Sequence, residues 1–483
     1  MNFKMIFNTL GRILLIEAAL LLIPFILSFV YAENLYYVYL ISMGIMVLIG
    51  LPLALFLKPE DNRLYSRDGF VLVGLCWVCL SLFGALPFFF SGAGIDGEFT
   101  SYINCFFETV SGFTTTGATI LKDVEVIPHS LLLWRSFTHW IGGMGVLVFV
   151  LAILPNSSGQ NIYLLKAEST GPQVGKLVSK ITFTARILYI IYFVLTVVLV
   201  IFLLFGGNPL FDSVVLSLGT AGTGGFAILN DGLASYSDYT QIVIAIFMFL
   251  FGINFNIYYL ILIGNFKQIL KNEEMKWYGI VVLISTIIIS FNIFGQYNDV
   301  FESIKHAFFQ TTSIITTTGY GTTDFNTWPL LSKAILFILM FVGGCAGSTA
   351  GGVKVSRFVI LFKSLKREFN KLIHPNSVEP IIIDEEPLDE NIVRGVSNYF
   401  ALIIAILFVG VFIVSFDGQD FETTFTAVTT CINNVGPGFN NAYSNMSVFG
   451  DVSKIFLSIA MLIGRLEIYP MLLLFMPKVW TEK

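Results

Sequence analysis

The stretch TTTGYG at residues 316–321, directly after FFQTTSII, places threonines and glycines between long apolar runs. The chain has 483 residues, of which 55% are hydrophobic and only 12% charged, whereas a typical soluble protein carries about 25% charged residues. Most of the surface therefore faces lipid, and we expect an all-α polytopic membrane protein. In a membrane protein, a polar stretch between two apolar runs requires a structural explanation.

Ten apolar runs are long enough to cross a membrane as helices, since a spanning helix needs about 20 apolar residues. Most of the 27 Lys and Arg residues lie in alternate connecting segments. Because cytoplasmic segments carry the excess of Lys and Arg, both termini are expected in the cytoplasm. The predicted spans are residues 10–32, 36–57, 69–91, 132–154, 184–206, 240–263, 277–296, 330–360, 395–416 and 452–476.

Four outer segments share one pattern with the region around residues 316–321. Each starts with Phe and an acidic or hydroxyl residue, continues with helix formers, and ends in a polar segment of Thr, Asn and Gly around a central glycine. A further span follows, so a unit of span, short helix, polar segment and span occurs four times. The central glycines are Gly117, Gly224, Gly319 and Gly436. The predicted divisions are an N-terminal two-helix extension, 1–66, and four units, 67–180, 181–272, 273–392 and 393–483.

A short helix with a polar segment is too short to cross the membrane twice as helices, so it is expected to dip in from outside and return. Non-helical backbone at membrane depth is tolerated where it lines a cavity or is buried in protein. Four such segments around one axis would surround a lumen with backbone carbonyls, which can replace the water shell of a monovalent cation. The four segments carry no Asp, Glu, Lys or Arg, which favours K⁺ over divalent cations and anions. The net charge of −5 argues against a nucleic-acid partner.

The polar segments TTTGAT (114–119), TGGF (223–226), TTTGYG (316–321) and NNVGPGF (433–439) together resemble the filter sequences of the Trk/Ktr/HKT superfamily of K⁺ transporters. The length and the two extra N-terminal spans resemble its TrkH-type membrane subunits. The four central glycines would keep the shape of the filter. Because the four segments differ, the resemblance implies passage of Rb⁺ and looser exclusion of Na⁺. The backbone carbonyls implied to hold K⁺ belong to Thr115, Thr116, Gly222, Thr223, Thr317, Thr318, Asn434 and Val435.

The same resemblance implies the setting of the protein. It predicts a bacterial inner membrane, a homodimer, and control by a TrkA-like cytosolic subunit that binds nucleotide and docks on the basic inner loops. K⁺ is the transported ion, and no tightly bound cofactor is expected.

A second glycine-rich stretch, FVGGCAGSTAGGVK at residues 341–354, interrupts the eighth span. A phosphate-binding loop is not indicated, since Val353 follows Gly352 where that motif requires Lys. Close packing by small residues is the alternative. We expect a broken helix whose loop, 343–352, obstructs a pore, as an intramembrane gating loop does in TrkH-type proteins. Its predicted gating residues are Gly343, Gly344, Gly347, Ser348, Thr349, Gly351 and Gly352.

Arg465 lies near the middle of the last predicted span, where a charge is costly unless it faces a cavity or a partner. Carbonyls of the loop 343–352 would accept its hydrogen bonds, and its charge would oppose a cation in the pore. We therefore expect Arg465 to belong to the gate.

Two other classes of protein fit the sequence less well. An integral membrane enzyme would need a nucleophile with a base, or a metal cluster, and neither pattern occurs in the sequence. A symporter driven by H⁺ or Na⁺ usually has inverted repeats, whereas these four units share one orientation. Glu108, in the first short helix, leaves proton coupling open. A pore-forming subunit is the preferred interpretation.

Overall fold

A computed structural model describes residues 1–57, 66–145, 181–377 and 379–481. Helices dominate these ranges, and the two short strands described, Ile382–Ile383 and Glu386–Pro387, pair antiparallel. Residues 146–154 of the predicted span 132–154 and most of the basic segment 155–186 lie outside the described residues.

The N-terminal extension consists of the helices Phe3–Leu20, Leu22–Val30 and Tyr36–Phe56. Gly11 and Gly50 allow the first and third of these helices to pack closely. A Cβ atom built on Gly11 would lie 2.7 Å from the carbonyl oxygen of Gly50, and one built on Gly50 would lie 2.9 Å from that of Gly11. Small residues permit such contact between helices in a membrane.

The remaining helices follow the same order four times, and we name them lead helix, short helix and return helix. The lead helices are Ser66–Gly84 (continued by Leu86–Ser91), Ile181–Phe205, Glu273–Tyr297 and Glu390–Val414. The short helices are Tyr102–Phe113, Leu210–Gly222, Val300–Ile315 and Phe421–Asn433. The return helices are His129–Gly143, Asp238–Phe251, Leu330–Val342 and Asp451–Arg465.

Further helices continue three of the return helices, namely Phe255–Leu262, Val355–Ile373 and Tyr469–Leu474. Two small helices, Phe266–Lys271 and Pro477–Thr481, lie at the ends of the second and fourth units. Single 3₁₀ turns occur at Glu98–Thr100, Phe325–Thr327, Ser415–Asp417 and Asn440–Ala442.

Each of these three return helices breaks before its continuation. The predictions of unbroken helices over 240–263 and 452–476 are wrong, and only the break in 330–360 was expected. Asp238–Phe251 and Phe255–Leu262 meet at 88°, and the side chain of Asn254 caps the second of them by accepting from the amide of Asn256. In the fourth unit the break coincides with Glu467 and Ile468, whose φ values are 59° and 70°.

These breaks, together with the part of the span 132–154 that lies outside the described residues, explain why fewer long helices are found than the ten predicted spans. Within the described ranges, six helices are long and apolar enough to cross a membrane, or up to seven if the bent pair counts as one span. The return helices of the third and fourth units are 13 and 15 residues long before they break. The protein is a multi-pass helical membrane protein, and the number ten stays a prediction.

Two of the short helices are capped by acidic residues that stand before the Phe of the helix-start pattern. Asp299 accepts a hydrogen bond from the amide of Phe301, and Asp420 accepts from that of Thr423. The hydroxyl and the amide of Thr423 together lower the pKa of Asp420. Both carboxylates thus cap helix N-termini.

Candidate functional site

After each short helix the backbone makes the same left-handed turn. The turn residue has φ between 54° and 57°, and the amide of the next residue lies 2.9 Å from the carbonyl oxygen five positions earlier. Such a turn terminates a helix and satisfies its last carbonyls. The four turn residues are Thr115, Thr223, Thr317 and Asn434.

A glycine with positive φ stands two residues after each turn residue. In the second polar segment this glycine is Gly225, with φ 77°, and not the predicted Gly224. Thr223 and Gly224 therefore correspond to Thr115 and Thr116 of the first segment. The predicted carbonyl pair, Gly222 and Thr223, begins one residue too early, because Gly222 is the last residue of its short helix. The other three glycines are the predicted Gly117, Gly319 and Gly436, with φ 78°, 82° and 102°.

The four polar segments meet around one axis. A Cβ atom built on each of these glycines would lie closer than 3.0 Å to a carbonyl oxygen of the next segment, and the fourth segment returns to the first. Only glycine fits such an approach at positive φ. The pairs are Gly117 with Gly224, Gly225 with Thr318, Gly319 with Val435 and Gly436 with Thr116.

The ring of polar segments is buried and held by hydroxyl groups. Thr115, Thr317 and Asn434 have no solvent exposure. The hydroxyl of Thr116 lies 2.8 Å from that of Thr114 and accepts from the side-chain amide of Asn434 at 2.9 Å. In the third segment the same hydroxyl pair recurs between Thr316 and Thr318 at 2.8 Å. Such a frame holds backbone carbonyls at fixed positions, which is the chemistry of a monovalent cation site.

Metal sites built from side-chain ligands are not found in the described ranges. There, no group of three or more His, Cys, Asp or Glu side chains could hold a metal ion.

The loop that interrupts the third return helix lies against this ring. The amide of Gly351 donates to the hydroxyl of Thr317 at 2.6 Å, and the amide of Gly352 donates to the carbonyl of Asn433 at 2.9 Å. Gly343, Gly347 and Gly352 have positive φ.

Further hydrogen bonds hold the rest of the loop. The carbonyl of Gly344 accepts from the amide of Val355 at 3.1 Å, and the hydroxyl of Ser348 donates to the carbonyl of Cys345 at 2.6 Å. The amide of Phe255, in the second unit, donates to the carbonyl of Gly347 at 3.0 Å. The loop 343–352 is thus packed among the second, third and fourth units.

Arg465 connects the loop to the first return helix. Its guanidinium donates to the carbonyl of Thr349 at 2.9 Å and to the carbonyls of Gly142 and Gly143 at 2.6 Å each. The residue is only 7% exposed. The sequence indicated a loop carbonyl as partner but gave no sign of the two carbonyls from the first unit.

Glu274 is a contact of the loop that sequence reasoning missed. One of its carboxylate oxygens accepts from the amide of Ala346 at 2.7 Å and from that of Ser356 at 3.0 Å, and so joins the loop to the first turn of the helix that follows it. The preceding residue, Glu273, donates its amide to Asp384 at 2.8 Å. An acidic residue in the first turn of a helix is the only signal in the sequence, and it is equally typical of simple helix stabilisation.

Lys354 is also buried, although the sequence pattern places it among the basic residues of an inner segment. It is 2% exposed, and its ammonium group donates to the carbonyl of Ala350. The charge therefore faces the loop.

Comparison with known proteins gives matches over nearly the full chain. The model of a family described as "TrkH: Cation transport protein" matches residues 39–482. The Trk system potassium uptake protein TrkH of Salmonella typhimurium is 34% identical, with 100% of both chains covered. The Trk system potassium uptake protein TrkG of Escherichia coli strain K12 is 32% identical, with 99% of both covered. The crystal structure of the potassium transporter TrkH from Vibrio parahaemolyticus has a TM-score of 0.89 at 29% identity and covers 99% of this chain and 100% of that one.

Proposed function

Because the chain belongs to the TrkH family of cation transport proteins, we propose that it is the pore-forming subunit of a potassium uptake system in a bacterial inner membrane. The observation that carries this proposal is the closed ring in which each glycine of one polar segment packs against a carbonyl of the next. Relatives along the whole chain are Trk system potassium uptake proteins. The chain is a transport protein and not an enzyme.

K⁺ is held, in this proposal, by two backbone carbonyls from each polar segment. Backbone carbonyls are neutral and numerous, so they replace the hydration shell of K⁺ without binding it too tightly to leave. The segments differ in sequence, and we expect Rb⁺ to pass well and Na⁺ to be excluded less strictly than by four identical segments. The carbonyls belong to Thr115, Thr116, Thr223, Gly224, Thr317, Thr318, Asn434 and Val435, with Gly224 in place of Gly222.

The loop 343–352 is the gate in this proposal. Its hydrogen bonds to Thr317 and Asn433 put it against the ring, where it obstructs an ion, and Arg465 adds a positive charge that opposes cations. Glycines give the loop enough backbone freedom to leave. Opening requires the contacts of Arg465 and Glu274 with the loop to break.

A cytosolic nucleotide-binding subunit of the TrkA type is the proposed source of control, and the chain is proposed to form a homodimer. The helix Val355–Ile373 directly follows the loop and carries Lys363, Lys366, Arg367 and Lys371 on the side assigned to the cytoplasm. A partner bound to this helix would be one helix away from the gate.

A symporter driven by H⁺ or Na⁺ is the alternative, and Glu108 is the residue that left proton coupling open. Its carboxylate is engaged by Arg135 at 2.6 Å and by the amide of Ile120 at 3.0 Å. These contacts fix the carboxylate between the first return helix and the first polar segment, which favours a structural role.

A flux assay in liposomes tests the proposed function. Purified protein should carry K⁺ and Rb⁺ down their own gradients with no proton or Na⁺ gradient present. Uptake of K⁺ only in the presence of a proton gradient would show a symporter and refute the pore. Transport of Na⁺ without K⁺ would refute the proposal of potassium uptake.

A further inference from the structure

A buried ion pair lies behind the first two polar segments. Glu108, in the first short helix, and Arg135, in the first return helix, are joined at 2.6 Å between Oε1 and Nε. Their side chains are 0% and 3% exposed. Two charges are removed from water here, so each must be compensated by the other and by further hydrogen bonds.

Each partner of the pair holds a different polar segment. Glu108 accepts from the hydroxyl of Thr119 at 2.9 Å and from the amide of Ile120 at 3.0 Å, directly beyond Gly117 in the first segment. Arg135 donates to the carbonyl of Ala227 at 3.0 Å, directly beyond Gly225 in the second segment. The pair therefore joins the outer ends of two neighbouring segments.

The guanidinium of Arg135 also packs on the second segment. Its central carbon lies 3.5 Å from the centre of the Phe226 ring, and the ring centre of His139, one turn further along the same helix, is 4.1 Å from that of Phe226. Stacking of this kind fixes a planar guanidinium more firmly than a salt bridge alone. The position of Phe226 is thus tied to that of Arg135.

The sequence does not repeat this ion pair in the other units. Counted back from the positive-φ glycine, Glu108 corresponds to Leu216, Gln310 and Ala427. Gln310 still donates to the carbonyl of Thr323, beyond the third polar segment, at 3.2 Å, but without a charge. Among the four aligned positions, only that of the first unit thus carries a charged side chain.

We propose that Glu108 and Arg135 are a positioning pair that sets the distance between the first and second polar segments and thereby the preference for K⁺ over Na⁺. Neither side chain contacts the ion. The pair acts by preventing the two segments from approaching each other around a smaller ion, because any approach would stretch a charged hydrogen-bond network in a medium of low dielectric constant. This inference rests on the proposed function, since only a cation pore has such a preference.

The test compares the K⁺/Na⁺ permeability ratio of full-length variants in liposomes. Glu108→Gln copies the residue of the third unit, and Glu108→Gln with Arg135→Met removes both charges. We expect the ratio to fall roughly tenfold in both, the size expected from loss of a charged hydrogen bond. The double variant leaves no uncompensated buried charge, so it can be measured even where the single variant fails to fold.

Lys122→Met with Asp96→Asn is the matched control. It removes an ion pair of the same unit whose side chains are 52% and 58% exposed, and its ratio should equal that of the parent. A double variant at Glu108 and Arg135 that inserts, conducts and keeps the parental K⁺/Na⁺ ratio would overturn the positioning role. A parent protein that conducts no K⁺ would instead refute the proposed function.

Discussion

The amide nitrogen of Gly351 donates a hydrogen bond to the hydroxyl of Thr317 at 2.6 Å. Gly351 belongs to the intramembrane loop, and Thr317 is the turn residue of the third polar segment, equivalent to Thr115, Thr223 and Asn434. One of the four equivalent turn positions of the ring is thus engaged by the loop. If the loop is the gate, as proposed, its movement would release this hydroxyl, and the gate would be physically linked to the ring.

Gly319→Ser should lower the K⁺/Na⁺ permeability ratio or the K⁺ flux severalfold while the protein still inserts. Gly319 has φ 82°, and a Cβ there would overlap the carbonyl of Val435. Gly207→Ser is the matched control, because Gly207 has φ 80° but no atom within 4 Å of its Cβ position. Backbone strain alone would affect both variants equally. Parental selectivity in Gly319→Ser and Gly225→Ser alike would argue against the ring as the filter.

Deletion of several residues from the loop 343–352 should raise K⁺ flux in liposomes and make it independent of a cytosolic partner. Arg465→Ala should act in the same direction but less strongly, because the variant loses three hydrogen bonds and a charge yet keeps the loop. Arg394→Ala, at an exposed arginine, is the control and should leave the flux unchanged. A folded, inserted deletion variant that conducts no faster than the parent would show that the gate lies elsewhere.

Glu274→Ala should also raise the basal flux. The substitution removes the acceptor that joins the amides of Ala346 and Ser356, and hydrogen bonds to a charged group are worth about 2 kcal/mol each. Loss of one such bond from the closed state alone would increase the open fraction roughly tenfold or more. Glu386→Ala, at an exposed position of the nearby hairpin, should have no effect. Equal flux in the two variants would limit Glu274 to a role in folding.

Cysteine labelling should separate the two faces of the membrane. Ser235→Cys and Ser444→Cys, in outer segments, should react with an impermeant thiol reagent added to intact cells, and Asn376→Cys should react only after the cells are opened. Native background should be low, since four of the five cysteines are buried and Cys79 is half-buried. Cysteines placed at residues 160–175 are likewise expected not to react from outside, and this segment lies outside the described residues. Reaction of all three new cysteines from outside would contradict the orientation.

The four polar segments could be identified from sequence because they interrupt apolar runs at a recurring place in the chain. Their exact alignment could not. The second segment contains Gly224 and Gly225 side by side, and only the backbone shows that Gly225 takes the positive φ. Residue type alone does not distinguish two adjacent glycines, since both tolerate either sign of φ.

The breaks in the return helices were recognised only where the sequence offered many glycines together. In the second unit a single glycine, Gly252, begins the break, and one glycine inside a helix is usually tolerated. Contacts between units were equally hidden, since Arg465 and Gly142 are 323 residues apart. Such contacts depend on how the four units pack around an axis, and no pattern in the sequence near either residue indicates them.

The ring of polar segments also constrains the order of biosynthesis. Its closing contacts join the last unit to the first, through the Asn434 amide on the Thr116 hydroxyl at 2.9 Å and through Gly436 beside the carbonyl of Thr116. A ribosome delivers these partners 318 residues apart, and chains generally fold from the N-terminus as they emerge. The first three units are therefore inserted before the ring can close. A truncated polypeptide that lacks the fourth unit would have three of the four polar segments and no closing contact with Thr116.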